Sequence, residues 1–283
     1  VGTAATGVGD VWVGLFNTRQ ACRLNPNTGA AIGGCTSISP VYPYGAVADP
    51  AGRIWFTSRN SSVEALGHVN PSTGVWTMAA NAPSNLVSYG ISVWSNPTLT
   101  QTYLYIAQSD NNRIFRYDVN TNSWLVRDLS TLSFSGTPRG VAASETDLWV
   151  ATYSNNNAWG GGCSDRFVRL RLPNLDTGEA YSIGSTSCHL GIGVGFDNAV
   201  WSVAAGTNNA VRLAPDRASH IRTPALFVSP YTYSDFIGFG LNVFANPRGN
   251  YRFTIDSDCE GHRWSELTDR KSTRLNSSHA NIS

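Results

Sequence analysis

The sequence predicts an all-β chain folded as a β-propeller of four-stranded blades. Three observations predict it: a unit that recurs along the chain, an aromatic residue at a fixed place inside that unit, and a turn signature that follows it. The unit is clearest in residues 43–58, PYGAVADPAGRIWFTS. Anchored on its glycine, it recurs at Gly2, Gly45, Gly90, Gly140 and Gly191, at intervals of 43 to 51 residues.

Each element of the unit has its own signal. The run at the anchor, such as Gly45-Ala46-Val47-Ala48, reads as an inner strand. The aromatic residue that follows, Trp12, Trp55, Tyr105, Trp149 or Trp201, lies in an apolar run of strand length and marks the second strand. A basic residue before an apolar one marks the third: Arg23-Leu24, His68-Val69, Arg116-Tyr117, Arg171-Leu172 and Arg212-Leu213. Turns then follow as NPNTG at Asn25, NPSTG at Asn70, DVNTN at Asp118 and PNLDTG at Pro173. Their Asn, Pro and Gly supply the φ values that tight turns require. A last apolar stretch, such as Val75-Trp76-Thr77-Met78, closes the unit. A lone four-stranded sheet cannot bury both faces, whereas stacked blades can, with the repeated Trp and Tyr filling the space between them. A β-sandwich has no reason to repeat so regularly.

The propeller is expected over residues 1–230. A sixth copy is readable at Gly240, GLNVFANPRGNYRF, so residues 231–268 are either a degenerate last blade or the start of a further β domain, and the whole would have six or seven blades. The tail DRKSTRLNSSHANIS, residues 269–283, resembles the in-frame translation of a sequencing adapter and carries the one lysine of the chain, Lys271. No function is expected of it or of its His279. Because Val1 falls inside a repeat, the chain reads as an internal piece of a longer protein, lacking flanking domains on both sides.

With 20 basic and 19 acidic residues the chain is close to neutral, which excludes a polyanion-binding surface and hence nucleic acid as a partner. No apolar run approaches the length of a membrane span. Nine Trp and 27 Gly fit a large core joined by many tight turns. Of the five cysteines, Cys22 and Cys35 bracket the last two strands of the first unit, and Cys163 and Cys188 the same two strands of the fourth. Two intra-blade disulfides are expected, and with them an oxidising compartment: extracellular, cell-surface or periplasmic. Cys259 is left over. No close Cys or His spacing of a metal site occurs.

The unit P-Y-G-x-x-x-x-P-x-G-x-I-W-F-T, best matched by residues 43–57, resembles the virginiamycin B lyase (streptogramin lyase) family of seven-bladed propellers, and other propellers with NHL-like repeats share much of it. The resemblance implies an exported bacterial protein. It also implies, for a lyase, elimination that opens a cyclic depsipeptide ester, with a His base beside the α proton and Mg2+ to stabilise the enolate. The family places its His in the slot just before the anchor of late blades, with a Glu two residues earlier in one of them. Here the slots hold Val1, Tyr44, Tyr89, Arg139 and Leu190, with His189 one position off and no Glu two before any of them.

The candidate ligand-binding residues are therefore Tyr44, Tyr89, Arg139 and His189, expected around the channel mouth, where phenols, a guanidinium and an imidazole suit an anionic or sugar-like ligand, a glycan or a protein. The opposing reading is that they plug the channel and pair with loop carbonyls. Single substitutions among the four are expected to leave stability little changed. The function expected is a binding or interaction module, a catalytically inactive relative of the lyases needing no cofactor, monomeric within its longer chain. A divergent lyase is the first alternative, with His189 as base, a carboxylate from Glu145 or Asp197, and Mg2+. A structural spacer in a large surface protein is the second. His68 is expected as a solvated edge residue, and His220 and His262 have no carboxylate at motif spacing. Asn-rich runs after the aromatic strands (Arg59-Asn60, 110–112, 155–157, 208–209) are expected as turns or contact loops. Trp159-Gly160-Gly161-Gly162 reads as an exposed loop with one aromatic anchor. Gly191 to Gly195 precedes a strand, unlike a phosphate-binding loop.

Overall fold

The computed structural model describes residues 3–5 (backbone), 11–60, 62–63, 65–132, 136–153, 163–164, 166–184, 187–195, 197–225 and 228–232. The chain divides into two compact units, Val1–Asn246 and Pro247–Ser283. The second unit, with Cys259, His262 and the tail, lies outside the described residues, as do Gly2, the 154–162 loop and the Gly240 copy.

Among the described residues twenty strands make five antiparallel four-stranded sheets, each from consecutive strands. The first is β1–β4 (Thr3–Ala5, Val11–Leu15, Gln20–Leu24, Ala31–Ser37). The second is β5–β8 (Pro43–Ala48, Ile54–Ser58, Leu66–Val69, Trp76–Met78). The third is β9–β12 (Ser88–Ser95, Thr102–Gln108, Arg113–Asp118, Ser123–Asp128). The fourth is β13–β16 (Pro138–Ala143, Asp147–Thr152, Arg166–Arg171, Gly178–Ser182). The fifth is β17–β20 (His189–Val194, Val200–Ala204, Asn209–Leu213, His220–Arg222). Among the described residues there is no α-helix, and one 3-10 turn, Leu129–Leu132, leads from the third sheet toward the fourth.

The turns use the chemistry the sequence supplies. Asn25 Oδ1 accepts the backbone N–H of Asn27 at 2.9 Å and Gly29 closes the turn at φ +70°. Asn70 and Asp118 do the same for Ser72 and Asn120. Short side-chain acceptors of this kind replace the backbone partners that a reversing chain loses.

Apolar layers between neighbouring sheets hold the fold. Ile54 and Phe56 of β6 face the first sheet, packing with Trp12 and Ala21, while Trp55 between them faces Leu104, Phe115 and Tyr117 of the third. Trp149 and Phe167 meet Ile192, Val200 and Val211 of the fifth. Alternation along each strand sends successive side chains into opposite layers, so β6, β10, β13, β14 and β17 are buried on both faces. Burial of each large side chain contributes about 2–3 kcal/mol.

The repeated basic residue has a register reason. It sits directly across from the aromatic of the second strand: Trp12 with Arg23, Trp55 with His68, Tyr105 with Arg116, Trp201 with Arg212. In the fourth sheet Arg171 lies in the third strand as expected but pairs with Asp147, and the residue across from Trp149 is Arg169. Arg169-Leu170-Arg171-Leu172 repeats at the strand period, so its pattern fits two registers equally, and hairpin geometry chooses between them. His68 is corrected. It is not a solvated edge residue: its half-buried ring lies 4.5 Å from that of Trp55, tilted against it, and burial lowers its pKa.

Both cysteine pairs form. Cys22–Cys35 joins directly opposed residues of β3 and β4. Cys163–Cys188 differs from the intra-blade bond expected. Cys188 immediately precedes β17, so the bond ties the approach to the fourth sheet's third strand to the entry of the fifth sheet.

Candidate functional site

The anchor glycine and the slot residue before it share one local distortion. In four sheets the pair opposes a single residue of the second strand: Tyr44-Gly45, Tyr89-Gly90, Arg139-Gly140 and Leu190-Gly191 each lie where the register shifts. Such a β-bulge bends the strand and re-aims a side chain. Glycine follows because the inner strands crowd one another: a Cβ on Gly140 would stand 2.6 Å from the carbonyl oxygen of Leu190 and 2.9 Å from Gly191 Cα, in the next sheet.

The slot residues meet at one end of the inner strands. Tyr44, Tyr89 and Leu190 form a buried cluster with Phe16, Tyr153 and Ala205 against it, so all five sheets contribute. Tyr44 and Tyr89 meet edge to face with centroids 5.0 Å apart. The Arg139 guanidinium lies 5.0 Å from the Tyr89 ring and 5.3 Å from that of Tyr153. It donates to the carbonyl oxygens of Ser109 and, at 3.1 Å, Pro138. Three of the four expected residues are thus brought together. Arg139, at 1% exposure, lies below the surface rather than at the mouth, and burial pulls its pKa down to about 10.

His189 is not among them. Neighbouring side chains on a strand point to opposite faces, and Leu190 takes the axial direction. His189 is fully buried between sheets, its ring 5.1 Å from Phe167 and its Nδ1 3.1 Å from Ser202 Oγ. Glu145 and Asp197 lie in the β13–β14 and β17–β18 hairpins, at the far ends of the inner strands from their bulges, and Asp197 accepts from Arg212 at 2.7 Å. The base and carboxylates named for a divergent lyase therefore stand apart. They do not fit an enolate-stabilising metal, and among the described residues no three His, Cys, Asp or Glu side chains gather as a metal-binding group.

Two further described residues join the cluster. Arg59 Nη1 donates to the Tyr44 hydroxyl at 2.8 Å, and its guanidinium lies 4.6 Å from the Tyr44 ring and 5.0 Å from that of Tyr89. The Tyr231 hydroxyl is 3.0 Å from that of Tyr44 and also bonds that of Tyr89. Burial raises the pKa of both Tyr89 and Tyr231, keeping them protonated. A signal for Arg59 was present: the residue just after each second strand, Phe16, Arg59, Ser109, Tyr153 or Ala205, reaches this end of the structure. Where described, the Asn-rich runs supply side-chain acceptors, Asn60 within its own turn and Asn112 and Asn208 across to segments 24 and 21 residues away. Asn60 accepts from Ser62 N–H, Asn112 from Gly136 N–H and Asn208 from Ser229 N–H.

Five consecutive sheets whose innermost strands adjoin in order, with interdigitated layers between them, decide the architecture. The fold is a β-propeller. No family model matches the chain and no curated protein matches it in sequence. Solved structures do. A streptogramin B lyase shares 18% identity at a TM-score of 0.65, over 80% of this chain and 69% of that one. A catalytically inactive variant of virginiamycin B lyase from Staphylococcus aureus with quinupristin gives 17% and 0.64, over 82% and 72%. A nidogen/laminin complex gives 11% and 0.57, over 79% of each chain. At these identities the likeness is one of fold. No helix of the described residues is long and apolar enough to cross a membrane.

Proposed function

We propose that this propeller is an exported bacterial binding module, a relative of the streptogramin lyases without their catalysis, that holds an anionic or sugar-like ligand at the axial end of its inner strands. The observation that carries the reading is the convergence there of the Tyr44, Tyr89 and Tyr231 hydroxyls with the Arg59 guanidinium. Phenols over aromatic faces suit sugar rings, and a guanidinium with five N–H donors suits a carboxylate. Arg139 supports the tyrosines from below instead of meeting the ligand. Two disulfides support an oxidising compartment and hence export.

The test is titration of the folded protein with glucuronate and with glucose, followed by intrinsic fluorescence. Saturable binding of glucuronate, stronger than that of glucose and weakened about tenfold or more by Arg59→Met, is the expected result, since a charge-assisted pair is lost. Absence of saturable binding for both sugars would overturn the reading and favour the spacer. The lyase alternative is tested separately by incubation with a cyclic depsipeptide, with and without Mg2+, following ring opening by chromatography. Metal-dependent opening, lost in His189→Ala, would replace the binding-module reading.

A further inference from the structure

The segment 228–232 follows the last strand of the fifth sheet, and its end lies at the axis. Pro230-Tyr231-Thr232 repeats the order of Pro43-Tyr44-Gly45 and Pro138-Arg139-Gly140: a proline, an axial side chain, and a small residue. Thr232 falls 41 residues after Gly191, just short of the intervals of 43 to 51 between the other anchors.

Packing repeats as well. A Cβ on Gly191 would stand 2.1 Å from Thr232 Oγ1 and 2.9 Å from the Thr232 carbonyl oxygen. Gly140 is likewise crowded by the backbone of the next sheet, at the Leu190 carbonyl oxygen and Gly191 Cα. Tyr231 is then placed as Tyr44, Tyr89 and Leu190 are, and its hydroxyl meets the first two. At 44% exposure it is the most open of the axial tyrosines, Tyr44 being 8% and Tyr89 2% exposed.

We infer that Pro230-Tyr231-Thr232 occupies a sixth slot-and-anchor position beside the fifth sheet and that Tyr231 is its axial residue, the phenol that an incoming ligand meets first. Thr232 stands in the anchor position beside Gly191. A threonine is accommodated there because its neighbour in the fifth sheet is glycine. The site proposed above consequently draws on this segment as well as on the five sheets. Tyr231 selects for ligands that accept or donate a hydrogen bond at its hydroxyl. This last step rests on the binding reading, whereas the placement of the segment does not.

Two arms test the two halves. For placement, Gly191→Ala is expected to lower the melting temperature by roughly 5 °C through overpacking, and Thr232→Gly in the same chain to restore most of the loss. A second measurement is Gly191→Cys with Thr232→Cys, where peptide mapping without reductant should find the 191–232 cross-link, since neighbouring Cβ atoms of a disulfide stand about 3.8 Å apart. Additive melting losses together with two uncrosslinked thiols would overturn the placement. For recognition, Tyr231→Phe is expected to weaken glucuronate binding about threefold to tenfold, the worth of one neutral hydrogen bond. Unchanged affinity in Tyr231→Phe, beside a loss in Tyr44→Phe, would overturn the recognition role. Failure of the wild type to bind glucuronate would end both that role and the binding reading, and would leave the placement to stand or fall on the first arm.

Discussion

The hydroxyl of Tyr231 lies 3.0 Å from that of Tyr44, although 187 positions separate the two residues. A contact of such sequence separation, with Tyr89 sharing the same hydroxyl, joins the axial ends of early and late segments.

Alkaline titration should read two phenols of this cluster, Tyr89 and Tyr231, together with Tyr105 of the layer between the third and fourth sheets. Burial raises the pKa of Tyr89, Tyr105 and Tyr231 above the ordinary phenol value of about 10. The folded state then holds these protons more tightly than the unfolded chain. Their contribution is fully present below pH 10 and is lost as pH rises above it. Arg139 runs the other way: its folded pKa, about 10, lies below its unfolded value, so its cost to stability shrinks as pH rises past 10. Three phenols outweigh one guanidinium. Unfolding free energy is expected to fall above pH 10, and absorbance at 295 nm should show several tyrosines ionising only as the fold is lost. Free ionisation of every tyrosine near pH 10, with the fold intact, would contradict this.

A buried carboxylate ties the fourth and fifth sheets. Asp147, its side chain 2% exposed, accepts from Arg171 Nη1 at 2.9 Å and from Arg217 Nη2 at 3.2 Å, with Arg169 Nε at 3.7 Å. Arg217 also lies 5.6 Å from the Trp149 ring. Removing the carboxylate leaves clustered guanidinium groups without their common partner. Asp147→Ala should therefore cost about 3 kcal/mol in urea unfolding. Arg171→Ala, whose side chain is half exposed, should leave the midpoint nearly unchanged. Equal losses in the two variants would show that the pairs act independently of burial.

The disulfides should differ in what their loss does. In the chain-entropy account, separations of 13 and 25 residues correspond to about 3 and 3.5 kcal/mol. The structural context separates them further. Cys22 and Cys35 stand opposite each other in strands already paired by hydrogen bonds. Cys188, at φ +51°, leads into Leu190 of the axial cluster. Replacing both Cys163 and Cys188 by Ser should lower the melting temperature and also weaken ligand binding at the axis. The Cys22/Cys35 double variant should lower the melting temperature only.

The repeat was legible in sequence because each of its signals has a single physical cause. The anchor glycine marks the bulge and the crowding of inner strands, the Trp and Tyr fill the layers between sheets, and Asn or Asp starts the turns. What was not legible has causes too. His189 sits one position from the slot, and one position on a strand is the difference between the axis and the inter-sheet layer. Arg169 and Arg171 fit the same period, so spacing alone could not choose between them. Arg59 stands just beyond its strand, where alignment on the anchor does not look. Tyr231 was hidden because its unit carries threonine where the others carry glycine.

Arg139 decides between a plug and a surface. Sequence reasoning expected single substitutions in the cluster to be mild, but a guanidinium 1% exposed, bonded to two backbone carbonyls and flanked by the Tyr89 and Tyr153 rings, is part of the core. Arg139→Ala removes its donors from the carbonyls of Ser109 and Pro138 and opens a cavity beneath Tyr89, for a loss of about 3 kcal/mol or more. Arg139→Lys restores a charge and one donor but not the planar stack, and should recover only part of that loss. Urea unfolding of the three proteins checks the order, wild type above Lys above Ala. If Arg139→Ala instead melts with the wild type while glucuronate binding disappears, the guanidinium serves the ligand directly, and the axial site reaches one layer deeper than Arg59 and Tyr231.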